Sequence, residues 1–166
     1  MNLEYDEILE SAARVTPQYV AGLFDGEGSV CVTCSGVNHP RLKVTITNTD
    51  LRILALVGLK FPGGGPHSAR SPRLRHELYQ LGYTGKSCKP LLEFIKDHVI
   101  IKRERVLLGL QMVELTNERG NDLTEEQKIE RWRIGLEMTK LNDSARKNVS
   151  ILSSNFAKSS SLGKEE

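Results

Sequence analysis

The sequence predicts an α+β domain in which helices cover one face of an antiparallel four-stranded sheet. Three observations carry that prediction. Hydrophobic periodicity switches from helical to alternating at Ser29, and the alternation resumes in a second segment that ends at Thr47. The segments read in order as a helix, then ββαββα, then further helices, with no helix placed to link parallel strands. The chain has 166 residues, enough for one substantial core and too few for two comfortable ones.

Each element has a local reason. Leu3, Ile8, Leu9, Ala12 and Ala13 suggest a short amphipathic helix over Glu4 to Arg14. Thr16 followed by Pro17 reads as an N-cap and first helical position, opening a helix through Tyr19, Val20 and Leu23 to about Gly26. From there Val30, Val32 and Cys34 fall on one strand face and Ser29, Cys31, Thr33 and Ser35 on the other. After a turn through Gly36, Asn38 and Pro40, Leu42, Val44 and Ile46 point inward and Arg41, Lys43, Thr45 and Thr47 outward, completing a hairpin. Thr49 or Asp50 caps a helix over Leu51 to Lys60, which ends at Phe61-Pro62-Gly63-Gly64-Gly65-Pro66.

A second hairpin follows, with one arm from His67 to Arg70, a bend at Ser71-Pro72 and a longer arm from Arg73 to Tyr83. Ser87 to His98 is expected to be helical, and a helix from near Lys102 carries Val106, Leu107, Leu110 and Val113. Thr124, with Gln127 three residues on, forms a capping box for a last helix through Trp132, Leu136 and Met138. Residues 1–152 read as one domain, and the Ser- and Lys-rich 153–166 as a flexible tail.

With 23 basic and 21 acidic residues the net charge is +2, so total charge does not mark a nucleic-acid binder. Its distribution is more telling. Between Pro66 and Pro90 stand Arg70, Arg73, Arg75, Lys86 and Lys89 against a single acid, Glu77. Cys31, Cys34 and Cys88 fit a reducing, intracellular compartment, and placing Cys31 and Cys34 on opposite strand faces argues against a zinc site. His39, His67 and His76 show no metal-ligand spacing and read as surface residues. Neither the acidic N-terminus nor any later stretch has the apolar length a membrane requires, so a soluble protein with no membrane partner is expected.

The densest chemistry lies in Val20-Ala21-Gly22-Leu23-Phe24-Asp25-Gly26-Glu27-Gly28. Gly22 and Gly26 are four apart, share a helix face and let another backbone come close. Glu27 ends the helix, where the macrodipole disfavours a negative charge by ~0.3–1 kcal/mol and a bound cation would reverse that cost. This stretch, present once, resembles the LAGLIDADG signature of homing endonucleases, with Ala21, Gly22, Leu23, Asp25 and Gly28 identical and Glu27 standing where the motif name has Asp.

The resemblance implies the fold of that family, a curved saddle, and a homodimer about a two-fold axis with Ala21, Gly22, Phe24, Asp25 and Gly26 at its interface. It further implies an intron-encoded, site-specific double-strand DNA endonuclease acting on a long pseudo-palindromic site without a small-molecule cofactor. Glu27, helped by the Gly26 carbonyl, would bind Mg²⁺ or Mn²⁺, with Ca²⁺ binding but not supporting cleavage. Asp25 would be structural. Lys102, in Ile100-Ile101-Lys102-Arg103-Glu104-Arg105, has the context of a lysine near the scissile phosphate. Asp50 aligns with a residue that orients the attacking water, although an Asp at a helix start is also an ordinary cap.

The outward faces would then meet the major groove through Ser29, Thr33, Ser35, Arg41, Lys43, Thr45 and Thr47, joined by Arg70, Arg73, Arg75, His76 and Gln80. A merely solvated sheet face would show the same alternation. Leu141-Asn142-Asp143-Ser144 resembles the family's closing segment, after which Arg146 and Lys147 would touch the DNA backbone. Two other readings stay open: an intron maturase binding structured RNA, and a DNA-binding regulator that does not cut.

Overall fold

A computed structural model describes residues 10–34, 40–69, 77–115 and 123–142. A helical turn at residues 10–13 leads to Thr16, whose hydroxyl accepts from the Tyr19 amide and caps helix α1, Pro17–Glu27. Strand β1, Gly28–Thr33, follows without a linker, and pairs antiparallel with β2, Arg41–Asn48. Asp50 caps α2, Leu51–Lys60, whose bounds are those the sequence predicts. The second hairpin joins a very short β3, His67–Ser68, to β4, Tyr79–Thr84.

The sheet runs β1-β2-β4-β3 and is antiparallel throughout, with β2 and β4 central. Beyond it the predicted Ser87 to His98 helix divides: a 3₁₀ turn over Gly85–Cys88 precedes α3, Lys89–Ile95. Pro90, early in α3, fits there because the first helical amides need no intrahelical partner. Helix α4 spans Arg103–Glu114 and α5 spans Glu125–Lys140, opened by the Thr124–Gln127 capping box. The first predicted helix before residue 10, the Ser71-Pro72 bend and the proposed tail and domain boundary near residue 152 lie outside the described residues.

The helices share the sheet face that carries Val30, Leu42, Val44, Ile46, Leu81 and Tyr83, all fully or almost fully buried. Phe24 of α1, Leu54 of α2, Leu92 of α3, Met112 of α4 and Met138 of α5 meet there in one core. The Tyr83 hydroxyl donates to the Phe61 carbonyl at 2.9 Å, which ties the end of α2 to the sheet without leaving a buried hydroxyl unpaired. With the apolar face covered, the opposite face of the sheet is left for polar side chains.

Candidate active site and polar sheet face

The direct passage from α1 into β1 is set by Gly28. A Cβ there would lie 2.6 Å from the Phe24 carbonyl oxygen and as close to the Phe24 ring, so only glycine lets the chain turn there. The Gly28 amide in turn donates to the Phe24 carbonyl, closing the helix. Glu27 is thereby placed at the exact boundary of helix and sheet, with an exposed side chain.

The two faces of α1 differ. Val20, Ala21 and Phe24 are buried in the chain's own core. Gly22 and Gly26 are exposed, and a Cβ at either would meet nothing within 4 Å. Ala21 and Phe24, expected at a dimer interface, are therefore corrected to core residues: their side chains point to the sheet and are not available to a partner. The open row is Gln18, Gly22 and Gly26, flanked by Tyr19 and Leu23. The i, i+4 spacing of Gln18 from Gly22 could have revealed this row in the sequence.

Asp25 is half-buried and committed within the chain. One carboxylate oxygen accepts from the amides of Ile100 at 2.7 Å and Ile101 at 3.2 Å, and the other from the amide of Lys102 at 3.0 Å. Of its expected placements, the structural one is observed, and the carboxylate is spent inside the subunit. The Lys102 ammonium points back at α1 and donates to the carbonyls of Phe24 at 2.9 Å and Asp25 at 2.7 Å. Burial pushes Lys102 below its ordinary 10.5, against the pull of Asp25 and Glu27, while Arg105 adds to the depression.

Around this core of the site, the Thr47 hydroxyl reaches the Glu27 carbonyl at 3.4 Å. Strand β2 passes Gly28 at Ile46 and ends at Asn48, so Asp50 lies at the same end of the sheet as Glu27. The Asp50 carboxylate accepts from the Arg52 amide at 2.9 Å and is gripped by the Arg52 guanidinium at 3.0 and 2.6 Å. That hydrogen bonding holds its carboxyl below the ordinary value. The cap is thus observed, and Arg52 is a partner that sequence reasoning missed because its pairing depends on a side-chain rotamer. Asn142, singled out in the closing segment of the sequence, donates its side-chain amide to the Val30 carbonyl at 3.3 Å, fastening the end of α5 beside β1.

On the polar sheet face the register aligns side chains in rows across strands. Ser29 faces Thr45, which faces Gly82; Cys31 faces Lys43, which faces Thr84; Thr33 faces Arg41; and Thr47 faces Gln80, which faces His67. Ser29, Thr33 and Arg41 are exposed, and Lys43, Thr47 and Gln80 are half-exposed. Thr45 lies on this face but is buried, hemmed in by its strand neighbours and by β1 and β4. Its expected role as a base-reading group is corrected on that ground. Arg41 and Lys43 enter none of the ion pairs among the described residues. Burial keeps the Cys31 thiol raised and hence neutral, with Lys43 opposing weakly. Ser35, Arg70, Arg73, Arg75, His76, Arg146 and Lys147 lie outside the described residues.

The fold and the helix end together define an α+β protein with a polar antiparallel sheet face and an exposed carboxylate at a helix–strand junction. Solved structures of like architecture are homing endonucleases. The homing endonuclease I-TnaI is 22% identical, with 87% of this chain and 98% of that chain covered at a TM-score of 0.67. An archaeal intron-encoded homing endonuclease, I-Vdi141I, solved with DNA, is 16% identical over 87% of this chain and 96% of its own, at 0.69. I-CvuI, solved with its target in the presence of Ca, is 16% identical over 93% and 98%, at 0.63. Neither a protein-family model nor a curated protein matches the chain by sequence. The chain has the fold of the LAGLIDADG homing endonucleases.

Proposed function

We propose that the protein is a site-specific double-strand DNA endonuclease that works as a homodimer with divalent metal ions. The observation that carries this reading is the exposed Glu27 carboxylate at the end of α1, beside the open Gly22–Gly26 row and the braced Lys102. An exposed helix face without Cβ atoms invites a second backbone, and two copies of one face meet about a two-fold axis. Tyr19 flanks that row, and Ile100 and Ile101, beside the end of α1, are 83% and 78% exposed, as apolar surface awaiting cover would be.

The donors on offer suit a hard cation. The Glu27 carboxylate and the Gly26 carbonyl are oxygen ligands of the kind that Mg²⁺ accepts. Among the described residues no three His, Cys, Asp or Glu side chains gather, so those residues of one copy do not make a full ligand set. The Glu27 of a second copy and the phosphates of DNA would supply the rest. Such an ion, held by these oxygens, would supply Lewis acidity for activating water and for offsetting charge on the phosphate oxygens.

The chain's own residues do the remaining work. Lys102 has three N–H donors, of which two are spent on the α1 carbonyls, leaving one for a phosphate oxygen or the attacking water. Asp50, held by Arg52, would orient that water from the start of α2. The rows led by Arg41, Lys43 and Gln80 would read base edges, while Ser29, Thr33 and Thr47 make shorter contacts. The direct test is a plasmid library with long randomised inserts, treated in Mg²⁺ and in EDTA with the protein and with Glu27→Gln. Metal-dependent, Glu27-dependent double-strand breaks at a near-palindromic sequence are expected. Sequence-specific binding without breaks, in a library that contains the site, would reduce the protein to a regulator.

A further inference from the structure

Resting on the nuclease reading, we infer that Asp25 is a positioning residue that holds Lys102 against the end of α1, so that helix and ammonium move as one piece. The contacts are reciprocal. Helix α1 sends a carboxylate to the backbone amides of Ile100, Ile101 and Lys102, which lead into α4. The same segment returns an ammonium to the last carbonyls of α1. Negative charge is thus set at the N-terminal end of one helix and positive charge at the C-terminal end of the other, each complementing a macrodipole.

The arrangement fixes a long, rotamer-rich side chain. Lysine gives up much rotamer freedom when ordered, so it stays at one point only if its backbone and head group are both held. Asp25 holds the backbone, and the Phe24 and Asp25 carbonyls hold the head. Because Gly26 and Glu27 follow directly on Asp25, the position of Lys102 relative to the Glu27 backbone is set within one subunit. It does not depend on how two subunits dock.

Asp25→Asn breaks the brace specifically. The carboxamide keeps one acceptor oxygen, and its NH₂ group meets a backbone N–H where an oxygen had accepted. The first measurement needs no cleavage. In lysine-selective NMR, assigned with Lys102→Ala, the Lys102 ammonium should give a slowly exchanging signal in the native protein and lose it in Asp25→Asn. Retention of that signal in Asp25→Asn would overturn the proposal. Should Asp25→Asn not fold, Asp25→Glu keeps the charge, moves it by one methylene and is read in the same way.

The second measurement is a double-mutant cycle in single-turnover cleavage. Asp25→Asn should lower the rate by roughly 10² in the native background, the scale of a misplaced catalytic group, and by almost nothing in Lys102→Ala. Equal losses in both backgrounds would mean that Asp25 acts on stability alone. If the native protein cuts no DNA while the NMR result holds, the nuclease reading fails and the brace stands.

Discussion

Asp25 and Glu27 leave the same helix end two residues apart, and the chain treats them oppositely. Successive helical residues are turned by about 100°, so these two carboxylates point to nearly opposite sides. Asp25 turns toward the segment before α4 and accepts from three backbone amides. Glu27 turns to solvent, while its carbonyl accepts from the Thr47 hydroxyl. The difference teaches that the two acids of this motif are used differently: one carboxylate ties two segments of the subunit together and the other stays open to solvent.

The sharpest way to break that comparison is stability. Asp25→Ala removes three backbone hydrogen bonds, two of them at exposed residues whose amides water can reach, and releases Lys102; it should lower the unfolding free energy by about 2–3 kcal/mol, read by urea titration. Glu27→Ala should leave stability unchanged or slightly raised, because it removes an unfavourable charge from a helix C-terminus. Equal destabilisation by both would erase the distinction.

The motif's glycines sharpen it next. Gly28→Ala forces a Cβ into the Phe24 carbonyl and ring and should cost about 1–3 kcal/mol. Gly22→Ala meets open space, so it should stabilise the subunit by roughly 0.5–1 kcal/mol through helix propensity while weakening self-association in sedimentation. A gain in stability with unchanged association would show that this face is not an interface. The smallest effect belongs to Asp50. Its folded carboxyl lies below the ordinary 3.8, so its stabilisation is full above that value and lost as pH falls through the folded one. Asp50→Asn should therefore flatten a slight stability loss on acidification below about pH 4, seen by thermal melts across pH.

Much of the fold was legible because its signals are local. The Thr16-Pro17 start, the Leu51–Lys60 helix and the Thr124–Gln127 box depend on neighbours within a turn, and alternation alone sorts the inner and outer residues of β1 and β2. The site was legible only in part. A motif names the residues of α1, but which of its faces is buried depends on where the sheet and α3 pack, so Ala21 and Phe24 were assigned to the wrong side. Alternation puts Thr45 on the polar face, whereas its burial follows from β2 being flanked on both sides. The Asp25–Lys102 brace spans 77 positions of sequence and leaves no periodic trace. The buried Arg131, donating to the Pro40 carbonyl at 2.7 Å, is likewise a tertiary choice that a helical pattern does not announce.

At the centre of the account stands a cleavage site completed by two copies of Glu27. It is tested most directly by a mixed dimer in which one subunit is native and the other carries Glu27→Gln, purified with two different tags and given the cognate DNA. The account predicts that this dimer binds DNA as the native one does and cuts neither strand. Nicking of one strand at close to the native rate would show that each subunit cuts with a site of its own.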